Sequence, residues 1–229
     1  MSSSIPLPRK AVVILGFNAE ASRVGAAPAV PYGALAEHLP AADRLYIQEA
    51  VEEALAAGLS ELIFVTQDGF ALLDMARGLA NDSLPLQLVV PRQKPALGLG
   101  QALRGARSMI GEEPFVVLTL GQARSIAGGV LRQLLAAYRR VGGNLVVVTD
   151  AEVLHGQGTF AAIDKAAVGH CILQPDIFKA LDDDPEGDLA AALLAQAEIW
   201  PVTALPLRGG SPDAGGRPQE AEAMAGAAR

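Results

Sequence analysis

Residues 37–66, EHLPAADRLYIQEAVEEALAAGLSELIFVT, decide the fold. Within them, 45–57 reads as a helix. Ile47, Val51, Ala54 and Leu55 recur at the three-to-four spacing that gathers apolar side chains on one helix face, while Glu49, Glu52 and Glu53 fall on others. Gly58 follows as the C-terminal cap, because glycine accepts the left-handed backbone that closes a helix. ELIFVT at 61–66 is then short, continuously apolar and rich in β-favouring side chains, the pattern of a strand covered on both faces.

The same alternation extends in both directions. AVVIL at 11–15, LQLVV at 86–90, FVVLTL at 115–120 and NLVVVT at 144–149 read as further buried strands, with helices at 100–110 and 130–141 between them. A βαβα order predicts an α/β fold: a mostly parallel central sheet, helices on both faces and right-handed crossovers. In open sheets of this kind ligands bind outside the carboxyl ends of the strands, here the loops after residues 15, 66, 90 and 120. The second half is less regular. FAAID at 160–164 and VGHCIL at 168–173 read as short strands, followed by a helix from Pro175, an acidic turn at 182–188, a helix at 189–196 and a last strand around 200–207. One domain is expected over 1–208. Residues 209–229, punctuated by Gly and Pro and poor in large apolar side chains, are expected to be a mobile tail.

Composition narrows the functional classes. With 229 residues and 51% hydrophobic content, the chain has enough apolar mass for one substantial core. The formal charge of -7 argues against nucleic-acid binding, which needs a basic footprint to displace counterions from phosphates. No apolar run reaches the roughly 20 residues needed to span a bilayer, and MSSSIPLPRK lacks the apolar stretch of a secretion signal, so a cytoplasmic location is expected. Cys171 is the single cysteine and is expected in a buried strand, without zinc partners. His38, His155 and His170 fall in different elements, which favours surface or core placement over a metal site or a triad. Asp182, Asp183 and Asp184 lack the spacing of a calcium loop and read as a solvated turn.

The opening stretch also closely resembles the bacterial UDP-glucose pyrophosphorylase (UTP-glucose-1-phosphate uridylyltransferase) family, through Leu39, Pro40, Asp43, Ile47, Gln48, Glu52 and Glu53. Arg92 and Gln93 with Gly98, Leu99 and Gly100 resemble the family's uracil-recognition segment, and 111–114 the turn before its metal-bearing strand. Residues 168–181 resemble the strand and helix that follow the sugar-phosphate lysine, and Asp213, Ala214 and Gly215 a late aspartate-cysteine-glycine element. The resemblance implies a Rossmann-like nucleotidyltransferase fold. It implies Gly16, Glu37, Gln93, Gly98 and Gly100 as nucleotide-binding positions, Arg23 and Lys165 as catalytic ones, and Asp213 as a metal ligand for Mg2+.

The departures from the family fall on its chemistry. The strand-one loop of the family is a glycine-rich anion cradle with an arginine, because backbone N–H groups and a guanidinium must hold a triphosphate as charge moves to the leaving pyrophosphate. Here that loop begins Gly16, Phe17, Asn18, Ala19, Glu20, and Arg23 lies displaced in an alanine-rich insertion. Ala36 stands at the loop-lysine position before Glu37, and the chain has only four lysines, Lys10, Lys94, Lys165 and Lys179. Gly121 occupies the first aspartate position of the metal pair, leaving Asp213 alone. Bland readings stand beside the functional ones: Gln93 as the cap of a solvated turn, Gly98 and Gly100 as a helix start, Lys165 as a surface charge, Asp213 as an idle tail residue.

Two functions follow from the resemblance. The first is a catalytically impaired relative that binds a uridine nucleotide or sugar nucleotide, or pairs with itself or an active pyrophosphorylase relative, and needs no cofactor. The second is an active, Mg2+-dependent uridylyltransferase making UDP-glucose from UTP and glucose 1-phosphate.

Overall fold

A computed structural model describes residues 5–14, 41–65, 76–80, 85–89, 99–119, 129–148, 170–184 and 187–206. These residues contain strands β1 (Lys10–Ile14), β2 (Glu61–Val65), β3 (Leu86–Val89), β4 (Phe115–Thr119), β5 (Asn144–Val148), β6 (Cys171–Leu173) and β7 (Val202–Pro206). The helices are α1 (Ala41–Ala57), α2 (Leu99–Ile110), α3 (Val130–Val141), α4 (Ile177–Asp183) and α5 (Leu189–Gln196). Residues 76–80 are also helical. The expected strand at 160–164 and the tail from 209 lie outside the described residues.

The strands form one sheet in the order β3-β2-β1-β4-β6-β5-β7. β6 runs antiparallel to both neighbours, and the other pairings are parallel. Side chains alternate between the two faces, as the pleat requires. Val13, Phe64, Leu118 and Val147 bury against α1 and α3, whereas Ile14, Val65, Val117 and Val146 bury against α2, α4 and α5. Both sheet faces are therefore covered, which is why these strands read as unbroken apolar runs.

One expectation fails in an instructive place. β1–α1–β2 and β4–α3–β5 step in opposite directions along the sheet, yet α1 and α3 pack on the same face, so the two crossovers have opposite hands. β3–α2–β4 steps oppositely to β1–α1–β2 with its helix on the other face and so shares that unit's hand. By the strong preference for right-handed units, β4–α3–β5 is the exception. Its two strands are not neighbours, because β6 is inserted between them. A second difference is smaller. Leu55, expected on the apolar stripe of α1, is 37% exposed, and the buried stripe runs through Tyr46, Ile47, Ala50, Val51 and Ala54. Leu55 lies about 40° beyond Val51, the edge of that stripe on its side of the helix. Gly58 caps α1 as anticipated: its φ is +72°, its N–H donates to the Leu55 carbonyl and the Leu59 N–H to that of Ala54.

A buried polar knot fixes the antiparallel insertion. The Gln174 N–H donates to Asn144 Oδ1 at 2.8 Å, and Gln174 Nε2 donates to the Tyr138 hydroxyl at 2.9 Å and the Gly143 carbonyl at 2.8 Å. These bonds tie the end of β6 to α3 and to the start of β5. On the opposite face, Phe178 of α4 stacks on Phe115 of β4 with ring centroids 5.6 Å apart, and the Arg107 guanidinium lies 5.4 Å from the Phe178 ring centroid. Arg107 also pairs with Asp182 at 2.6 Å, an exposed contact that orients α4 more than it stabilises it.

Candidate functional site

The carboxyl edge of the parallel strands is formed by the ends of β1, β2, β3, β4, β5 and β7. β1 and β4 are neighbours there, with Ile14 opposite Thr119 in register. Gly16 and Gly121 each follow that register pair by two residues in the sequence. α1 and α3 lie on the same face of the sheet. α2, as a crossover between parallel strands, starts at the same carboxyl edge.

Of the sequence-selected residues, Gly100 is described. It is the second residue of α2 and buried, and a Cβ added to it would overlap the Gly187 carbonyl oxygen and sit 2.5 Å from Leu181 Cδ2. Its lack of a side chain serves a close approach between α2 and the turn linking α4 to α5. Gly16, Arg23, Glu37, Gln93, Gly98, Gly121, Lys165 and Asp213 lie outside the described residues.

Two residues that the sequence reading did not select sit at this edge. Thr119 ends β4 and His170 immediately precedes β6; they are 4% and 1% exposed. β4 and β6 are paired as far as Val117 opposite Cys171, and the His170 imidazole continues the contact, with Nδ1 accepting from the Thr119 N–H at 3.3 Å. On the other side the His170 carbonyl accepts from the Val147 N–H at 2.8 Å. The imidazole therefore lies where β4 and β5 end. Thr119 Oγ1 and His170 Nε2 are buried without a hydrogen-bond partner. Burial lowers the His170 pKa from 6.5 to about 4, so the ring is neutral near pH 7. With Nδ1 occupied as an acceptor, the proton of the neutral ring sits on Nε2, which is then a donor. Core placement was one of the alternatives kept for His170, but nothing in the sequence signals its position beside Thr119, which depends on the β4–β6 pairing. Cys171, next in β6, is fully buried, and its thiol is pushed well above the ordinary range by burial.

The neutral histidine has a measurable consequence. The unfolded chain binds a proton at His170 near pH 6.5 and the folded chain only near pH 4, so folding stability holds above about pH 6.5 and falls as pH drops towards 4. The loss attributable to this residue should reach about 3 kcal/mol at pH 4. Urea unfolding at pH 7, 5.5 and 4.5 should show a shallower acid decline for His170→Asn, whose Oδ1 keeps the acceptor for Thr119. Parallel declines in the two proteins would contradict the buried neutral state.

The metal question is one of donor set. Mg2+ binds through one or two carboxylates that converge with substrate phosphates. Between Glu113 and Asp150 the sequence contains no acidic residue, so β4 itself carries no carboxylate to the carboxyl edge. Among the described residues no group of three His, Cys, Asp or Glu side chains is placed to hold an ion.

No protein-family model matches the chain. It is 28% identical over 232 residues to a UTP–glucose-1-phosphate uridylyltransferase from Pseudomonas aeruginosa, covering 79% of this chain and 83% of that protein. Among solved structures, the UTP-bound UGPase from Acinetobacter baumannii is similar with a TM-score of 0.59 and 17% identity, over 89% of this chain and 87% of that one. A UDP-glucose pyrophosphorylase complexed with UDP-glucose gives a TM-score of 0.57 at 22% identity, over 87% and 91% of the two chains. At these identities the structural likeness speaks for the fold. No helix of the described residues is long and apolar enough to cross a membrane.

Proposed function

We propose that this UDP-glucose pyrophosphorylase-like chain binds a uridine nucleotide or sugar nucleotide at the carboxyl edge of its sheet and has lost most of the family's chemistry. The observation that carries the reading is the carboxylate-free run from β4 onward, with Gly121 at the first metal-ligand position. Phe17 and Glu20 in the strand-one loop and Ala36 at the loop-lysine position point the same way, since they bring a bulky ring and a repelling carboxylate to the place where a triphosphate is held and leave out a cation there. The base-reading segment is retained: Gln93 offers both a donor and an acceptor to a uracil edge, and Gly98 would allow a flat base to approach the backbone. Such a protein acts by occupancy, either sensing a sugar nucleotide or associating with a second copy or an active relative. The competing reading is an active uridylyltransferase in which Arg23 and Lys165 take over phosphate binding; these two cations are what favours it.

If the base is read and the phosphates are not, uridine and UDP-glucose should bind no worse than UTP, with little dependence on magnesium. Gln93→Ala should weaken all three together, by roughly tenfold, the scale of one lost hydrogen bond to a neutral group. Calorimetric titration of the three ligands, with and without magnesium, reads this directly. UTP binding far more tightly than uridine, with strong magnesium dependence and no effect of Gln93→Ala, would favour the competing reading.

A further inference from the structure

Two buried polar side-chain atoms without partners occur on one hydrogen-bonded unit, Thr119 with His170, at the carboxyl edge where β4 and β5 end. Buried polar groups are normally satisfied, and an unpaired one in a native protein calls for an explanation such as a ligand contact. Their chemistry is specific. His170 Nε2 is a neutral donor, and a threonine hydroxyl both donates and accepts. A sugar hydroxyl, which accepts one hydrogen bond and donates another, matches this pair. A phosphate matches it less well, since its charge in a buried place calls for a cation, and the imidazole resists protonation there.

We propose that His170 and Thr119 are specificity residues that read a hydroxyl of the sugar moiety of the bound sugar nucleotide. This rests on the sugar-nucleotide reading above and assigns its sugar end. Nε2 of His170 donates to the sugar oxygen and the Thr119 hydroxyl completes the contact, while Nδ1 stays engaged with the Thr119 N–H. Both atoms are buried at the carboxyl edge, so the group that reaches them leaves water, and a ligand without a matching hydroxyl leaves them unpaired.

The test compares UDP-glucose with UDP in calorimetric titrations of the full chain, for the unmodified protein, His170→Asn and Thr119→Val. His170→Asn keeps an acceptor for the Thr119 N–H and removes the Nε2 donor; Thr119→Val is nearly isosteric and keeps its backbone N–H. The expected result is that each variant lowers the UDP-glucose affinity about tenfold and leaves UDP unchanged, the variants being folded by circular dichroism and thermal unfolding. UDP-glucose falling no more than UDP in the folded variants would overturn the sugar contact and leave the nucleotide reading standing. If His170→Asn does not fold, Thr119→Val alone decides by the same ratio. An unmodified chain that binds neither ligand would overturn the nucleotide reading and this inference with it.

Discussion

Gly143→Ala should destabilise the protein by about 2–5 kcal/mol, combining the strain of a non-glycine residue in the left-handed region with overpacking against a neighbour. Gly143 has a φ of +71°, and a Cβ placed on it would overlap the Pro201 carbonyl oxygen and stand 2.9 Å from Pro201 Cγ. The clash cannot be relieved by a rotamer change. That carbonyl accepts the Asn144 N–H at 2.8 Å, where β7 joins β5, and the Gly143 carbonyl takes a bond from Gln174 in the polar knot. Gly58→Ala is the internal control: its φ is +72°, but nothing lies within 4 Å of the added carbon, so only the conformational term of about 1 kcal/mol remains. Urea midpoints at constant slope compare the two. Equal losses would mean that β5 and β7 do not approach as described.

The contrast between these glycines also shows what the sequence discloses. Gly58 is legible because its role is local, following an amphipathic segment and preceding an apolar run. Gly143 and Gly100 are not, because what they accommodate, Pro201 and Gly187, is remote in sequence. The strands were legible for the same kind of reason: burial on both faces leaves an unbroken apolar signature, and the edges of β1, β2, β3, β4 and β5 fall within one residue of the expected ones. β6 was legible as a short strand at 168–173 but its direction was not, since three residues carry no direction, and with it went the opposite hand of β4–α3–β5. His170 beside Thr119 is a product of that same pairing. Candidate residues drawn from the family resemblance fall mainly outside the apolar runs of the sequence, where hydrophobic periodicity gives no guide to placement. Gly100 could be followed into the structure, where its contact is with Gly187.

A larger effect is expected in catalysis. Given UTP, glucose 1-phosphate and magnesium, the chain should release pyrophosphate at a rate at least about 100- to 1000-fold below that of an active uridylyltransferase, the scale associated with loss of a single charge-stabilising donor. Several such groups differ here together. Gly121 offers no metal ligand, Ala36 no cation, and Glu20 brings negative charge to the strand-one loop. Gly121→Asp alone should therefore not restore turnover, because one carboxylate replaces neither the anion cradle nor the lysine. The low rate should accompany intact ligand binding, which separates a protein that has lost its chemistry from one that has lost its fold.

The decisive measurement is pyrophosphate release by a preparation that binds UDP-glucose in titration, assayed beside the Pseudomonas aeruginosa uridylyltransferase as the active reference. Binding with a rate at least about 100-fold below the reference is the result predicted. Turnover comparable to the reference would contradict it and assign phosphate handling to groups such as Arg23 and Lys165.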